Sequence, residues 1–80
     1  MKILYTSPNK EWIISKQENK FSEFFGVASC AVSKYKGDGN RNASNSWNVY
    51  WQGTFSQCLA YLYVNNIISQ DEYKANIALL

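Results

Sequence analysis

Trp47-Asn48-Val49-Tyr50-Trp51-Gln52-Gly53-Thr54-Phe55-Ser56-Gln57 changes its periodicity at one glycine, and that change decides the fold. Before Gly53 the pattern has period two. Trp47, Val49 and Trp51 share one face and Asn48, Tyr50 and Gln52 the other, as in a half-buried strand. After Gly53, Thr54 to Gln57 fits a capping box, in which the threonine oxygen accepts the third amide and the glutamine side chain reaches back. Phe55, Leu59 and Leu62 then recur at helical spacing, with Cys58 on the same stripe. Asn65-Asn66 supplies a left-handed stop. Ser69-Gln70-Asp71-Glu72 reads as a second capping box, its acids placed to favour the helix dipole. Tyr73, Ile77 and Leu80 follow at i, i+4 and i+7. Two helices are therefore expected, over about 55–65 and 70–79.

Upstream the chain reads as strands. Ile3 to Thr6 is a short apolar run closed by the turn signal Ser7-Pro8-Asn9. Glu11 to Lys16 is rich in aromatic and β-branched residues, and Gln17 to Lys20 makes a polar connection. The run from Phe21 to Tyr35 carries apolar groups on both alternating faces, so periodicity does not choose the buried one. Gly26 marks a bulge or bend there, and a helical start at Phe21–Phe25 competes with the strand. Strands are expected over about 3–6, 11–16, 24–35 and 47–52. Lys36 to Ser46, rich in glycine, asparagine and serine, is a loop. The expected class is α+β: a small antiparallel sheet of three to four strands, followed by two C-terminal helices packed on one face. Residues 1–80 are expected to form a single domain.

Composition bounds the chemistry. Of 80 residues, 46% are hydrophobic and 18% charged, enough apolar content to collapse and unlike a disordered tail. The chain contains no histidine, which removes Ser-His and Cys-His pairs, histidine metal sites and the usual base near neutral pH. A net charge of +2 does not by itself argue for nucleic acid or membrane. Cys30 and Cys58, without CxxC spacing, do not make a four-ligand zinc site and read as buried thiols, with a disulfide between them as the alternative. Asp38-Gly39-Asn40-Arg41-Asn42 begins like an EF-hand loop but fails at Ala43 and Val49, where glycine and glutamate are required. No phosphate-cradling glycine spacing exists. Of the six acids, Glu11, Glu18, Glu23, Asp38, Asp71 and Glu72, two belong to a helix start, two flank strands, one sits in a turn and one in the loop, and none lies in a pocket-forming apolar stretch. The expectation is a non-enzyme with no catalytic residue, no cofactor and no metal. It is expected in a reducing cytoplasm, because no signal peptide or membrane-length run is visible. The Asn42-Ala43-Ser44 sequon is then an accident of the loop.

The aromatic load is the unusual feature, at 16% with three Trp, six Tyr and four Phe. A core takes Trp12, Phe24 or Phe25, Trp47, Trp51, Phe55 and Tyr73. Tyr35 and Tyr50 are left for the opposite sheet face, and Tyr61 and Tyr63 for the helix flank. Exposed tyrosines are rigid contact area at protein interfaces, and beside cations they stack on bases. The residues expected to bind a partner are Lys34, Tyr35, Lys36, Arg41, Asn42, Trp47 and Tyr50, around the loop.

The Met1-Lys2-Ile3 start, the Trp-bearing strand, the Asn/Ser/Lys-rich composition and the strand–Gly–capped helix unit from Trp47 to Val64 together resemble small phage or prophage accessory proteins. These include inhibitors of bacterial defence such as anti-CRISPR proteins. The likeness is one of size and style across the chain, and that class shares no common fold. Ile67 to Leu80 is separately similar to the short C-terminal helical motif of bacterial multidomain proteins. Neither resemblance carries a catalytic residue over. The first implies a non-enzymatic inhibitor in the bacterial cytoplasm that covers a surface of a host defence protein or nucleoprotein complex. Single-stranded nucleic-acid binding by the same face is the alternative, and a homodimer or other homo-oligomeric module, paired through strand edges, is a third reading.

Overall fold

The computed structural model describes residues 1–17 and 30–79. They form a four-stranded antiparallel sheet followed by two C-terminal helices, an α+β arrangement. The strands are β1 (Lys2–Thr6), β2 (Trp12–Lys16), β3 (Cys30–Tyr35) and β4 (Trp47–Gly53), in the spatial order β1-β2-β3-β4. The helices are α1 (Phe55–Val64) and α2 (Gln70–Ile77). The part of the third strand expected over residues 24–29, the competing helix at 21–25, the Gly26 bend and the core positions Phe24 and Phe25 lie outside the described residues.

Local chemistry explains the elements. Between β1 and β2, the Ser7 hydroxyl accepts the Trp12 amide, and the Asn9 side chain accepts both the Ser7 hydroxyl and the Glu11 amide. Lys10 closes that turn in the left-handed region at φ 62°. Thr54 and Gln57 form the complete capping box that opens α1. At its other end Asn66 is left-handed, with the Ile67 amide donating to Leu62 and the Asn66 amide to Tyr63. That pair of bonds is a Schellman stop. The second box is only half formed. Ser69 accepts the Glu72 amide, but the Glu72 carboxylate turns away and accepts the Tyr5 hydroxyl at 2.7 Å, tying α2 to β1.

The core lies between the sheet and α1. Ile14, Cys30, Val32, Cys58, Leu59 and Leu62 meet there with Tyr5 and Ile68, and Trp12, Trp51 and Phe55 pack around them. Full burial of each large aliphatic side chain contributes roughly 1.5–3 kcal/mol.

A bulge corrects the reading of β4. Val32 pairs with Trp51 but Ser33 pairs with Val49, so Tyr50 is an extra residue in the ladder. Strict alternation across it fails. Trp47 and Val49 lie on the face opposite α1 and α2, while Trp51 joins the helix side, stacked on Tyr61 at 5.4 Å. Tyr50 turns to the same side against Trp12, so it does not share a face with Tyr35.

Candidate functional site

The residues expected to bind a partner gather at one end of the sheet, where the 36–46 loop and the 7–10 turn meet. Trp12, Lys34 and Asn48 form one cross-strand rung, and Tyr35 pairs with Trp47 on the next. They divide between the two faces of that end.

On the face opposite α1 and α2, Tyr35, Arg41 and Trp47 form a compact cluster. The Arg41 guanidinium lies 4.0 Å from the centroid of the Tyr35 ring, and the Tyr35 and Trp47 rings are 5.3 Å apart. Each member is anchored through backbone. The Tyr35 hydroxyl donates to Gly39 O at 2.7 Å and the Trp47 indole to Arg41 O at 2.9 Å, while an Arg41 amino group donates to Lys10 O. Gly39 permits the tight loop: it has φ 91°, and a Cβ there would meet Ser46 Oγ at 2.7 Å. The loop ends in a single 3₁₀ turn at Ser44–Ser46, and the Lys36 amide donates to Ser46 O. Trp47 is buried, whereas Arg41 and Asn42 are exposed.

A small cleft of about 190 Å³ opens beside this cluster. Ile3, Ile13 and Trp47 supply its apolar lining, with Lys10, Arg41 and Asn42 around them. Ile3 and Ile13 were indistinguishable in sequence from ordinary core positions, and Lys10 from a solvated turn residue. No signal in the chain marks them as neighbours of Arg41.

On the helix side of the same end, Tyr50 meets Trp12 edge-on at 5.0 Å and the Lys34 ammonium sits 5.6 Å from the Trp12 ring centroid. Tyr50 is 53% exposed. Three adjacent strands thus present an aromatic–cation–aromatic row. Of the seven expected residues, Lys34 and Tyr50 belong to this row and Tyr35, Arg41 and Trp47 to the cluster. Asn42 lines the cleft, and exposed Lys36 joins neither group of rings.

Among the described residues, the two strongly shifted titratable groups lie away from both surfaces. Burial pushes the Cys58 thiol up to about 12, reinforced by Cys30, against a smaller lowering from hydrogen bonding with the Gly53 backbone. Burial and the Glu72 carboxylate raise the Tyr5 hydroxyl. Both shifts favour the neutral, weakly nucleophilic form. Among the described residues, no group of three or more His, Cys, Asp or Glu side chains is placed to hold a metal ion. No described helix is long and apolar enough to cross a membrane. Comparison with protein-family models, curated proteins and solved structures finds no match to this chain.

Proposed function

We propose that this chain is a non-enzymatic binding protein of the phage anti-defence type. It acts in the bacterial cytoplasm by covering a surface of a host protein or nucleoprotein complex. The observation that carries this reading is the Tyr35–Arg41–Trp47 cluster. Arginine, tyrosine and tryptophan are the residues that dominate interface energetics, and here a tilted ring contact, a cation–ring contact and backbone bonds hold them in place before any partner arrives. Such pre-organisation lowers the ordering cost of association. The absence of histidine supports a role without catalysis. Occlusion rather than acidic mimicry of nucleic acid is the mechanism, because the chain is mildly basic.

The test is capture from nuclease-treated bacterial lysate with the wild-type chain, followed by the Arg41→Ala variant. A protein retained by the former and lost by the latter supports the reading. Identical capture by both contradicts it.

The Trp12–Lys34–Tyr50 row favours a second reading, a single-stranded nucleic-acid platform, because bases stack on aromatic rings beside cations. Ionic strength separates the two. Phosphate contacts make affinity fall steeply with salt, whereas an aromatic protein interface changes little.

A further inference from the structure

The cleft beside Arg41 has a chemistry of its own. Its lining combines the buried Ile13 and Trp47 and the half-buried Ile3 with two cations, Lys10 and Arg41, and the uncharged polar Thr6 and Asn42, and contains no carboxylate among the described residues. Its volume of about 190 Å³ is on the scale of one large side chain. Arg41 is held rigidly by Tyr35 and by the Lys10 carbonyl, and no described carboxylate pairs with it. An exposed guanidinium in this state keeps further donors for an incoming anion, and Arg recognises carboxylates with two parallel bonds.

We infer that this cleft takes one apolar side chain of an acidic partner segment, whose flanking carboxylates are bound by Arg41 and Lys10. The inference rests on the protein-binding reading above and names the chemistry of the partner: a large aliphatic or aromatic residue next to aspartate or glutamate. Charge complementarity selects that occupant, because both cations stand at the cleft and no described carboxylate lines it to oppose them. A basic segment meets repulsion there, and an acidic segment without the apolar residue leaves the lining wet.

The Trp47 indole N–H, bonded to Arg41 O, is a built-in reporter. The experiment is an NMR titration of the ¹⁵N-labelled chain with three capped tripeptides: Asp-Leu-Glu, Asp-Ala-Glu and Lys-Leu-Lys. The Asp-Leu-Glu peptide displaces the Trp47 indole resonance in a saturable way, and the other two bind more weakly. Arg41→Gln weakens the response about tenfold, as expected for loss of a charge-assisted bond. Lys10→Gly provides an independent arm. Glycine adopts the φ of 62° freely, so this variant folds while losing the cation. It too weakens the acidic peptide and leaves Lys-Leu-Lys no weaker.

Equal binding of all three peptides overturns the inference, as does the absence of any saturable shift with Asp-Leu-Glu. Stronger displacement of the same resonance by an oligothymidine probe overturns it in favour of nucleic acid. The two proposals fail separately. Host-protein capture that is lost with Arg41→Ala, together with a silent peptide titration, leaves the binding function standing without this cleft. A positive titration without any captured protein does the reverse.

Discussion

Changing Tyr5 to phenylalanine removes a single oxygen atom, and with it the bond that joins β1 to α2 across 67 positions of sequence. The ring remains to fill its place in the core, so the change is close to a pure hydrogen-bond deletion. The bond is short, 2.7 Å, and its acceptor is a carboxylate, which places it among charge-assisted bonds. Such bonds contribute about 1.5–3 kcal/mol. Glu72 is only half-buried and keeps Asn76 Nδ2 at 3.3 Å, so the lower figure, about 1.5 kcal/mol, applies. The consequence for α2 is large because none of its residues is fully buried: it is held by its Ser69 cap, the Tyr63–Tyr73 stack, the partly buried Ile77 against the core and this bond. At about 4–8 °C per kcal/mol for a domain of this size, the melting temperature falls by roughly 6–12 °C. Thermal unfolding followed by far-UV circular dichroism measures it for Tyr5→Phe, Glu72→Gln and the double variant. A coupling energy of about 1 kcal/mol is expected from the cycle. Burial and Glu72 hold the hydroxyl above its ordinary value of 10.0, so its contribution is complete below pH 10.0 and is lost as pH rises past it. The wild-type margin over Tyr5→Phe therefore holds from neutral pH up to 10.0 and shrinks above it. A Tyr5→Phe variant that melts with the wild type, with no coupling to Glu72, refutes the tie between β1 and α2.

Other outcomes follow from the same packing. Leu59→Ala, at a fully buried site in the sheet–helix core, costs about 2–5 kcal/mol, measured by urea unfolding. Gly53→Ala sets a Cβ 2.5 Å from the Trp51 ring and 2.9 Å from Gln57 Oε1, so it disturbs both the indole and the capping box. The urea midpoint falls and the near-UV tryptophan signal changes. Stability declines above pH 9.0, where the unfolded Cys58 thiol ionises while the folded one stays neutral until about 12. Urea midpoints between those values fall more steeply for the wild type than for Cys58→Ala.

The helical end of the chain was largely legible because its signals are local. Thr54 and Gln57 read each other across three residues, and Asn66 marks a stop that needs only its own left-handed backbone. Leu59 and Leu62 fall on the stripe their spacing implies. Misreadings arose where distant partners decide. Glu72 looks like the second half of a capping box until Tyr5, at the other end of the chain, competes for its carboxylate and wins with a neutral hydroxyl donor. The β4 bulge is equally invisible. Trp47 to Gln52 alternates cleanly, yet the extra residue opposite Val32 and Ser33 lets Trp51 reach Tyr61 and turns Tyr50 onto Trp12. For the candidate site, the sequence pointed to loop-end cations and aromatics but put Tyr35 and Tyr50 on one face. The structure separates them and sets the Tyr35 ring against Arg41 and Trp47, in a cluster fixed by the Gly39 and Arg41 carbonyls that no side-chain pattern encodes.

The most direct test of a pre-organised protein-binding surface compares capture by wild-type, Arg41→Ala and Tyr50→Ala chains from nuclease-treated lysate, at low and high salt. Circular dichroism of each variant confirms its fold. A host protein held by the wild type at both salt concentrations and lost with Arg41→Ala is the predicted result. Capture that is indifferent to Arg41, or that disappears with nuclease or salt in the wild type, contradicts it.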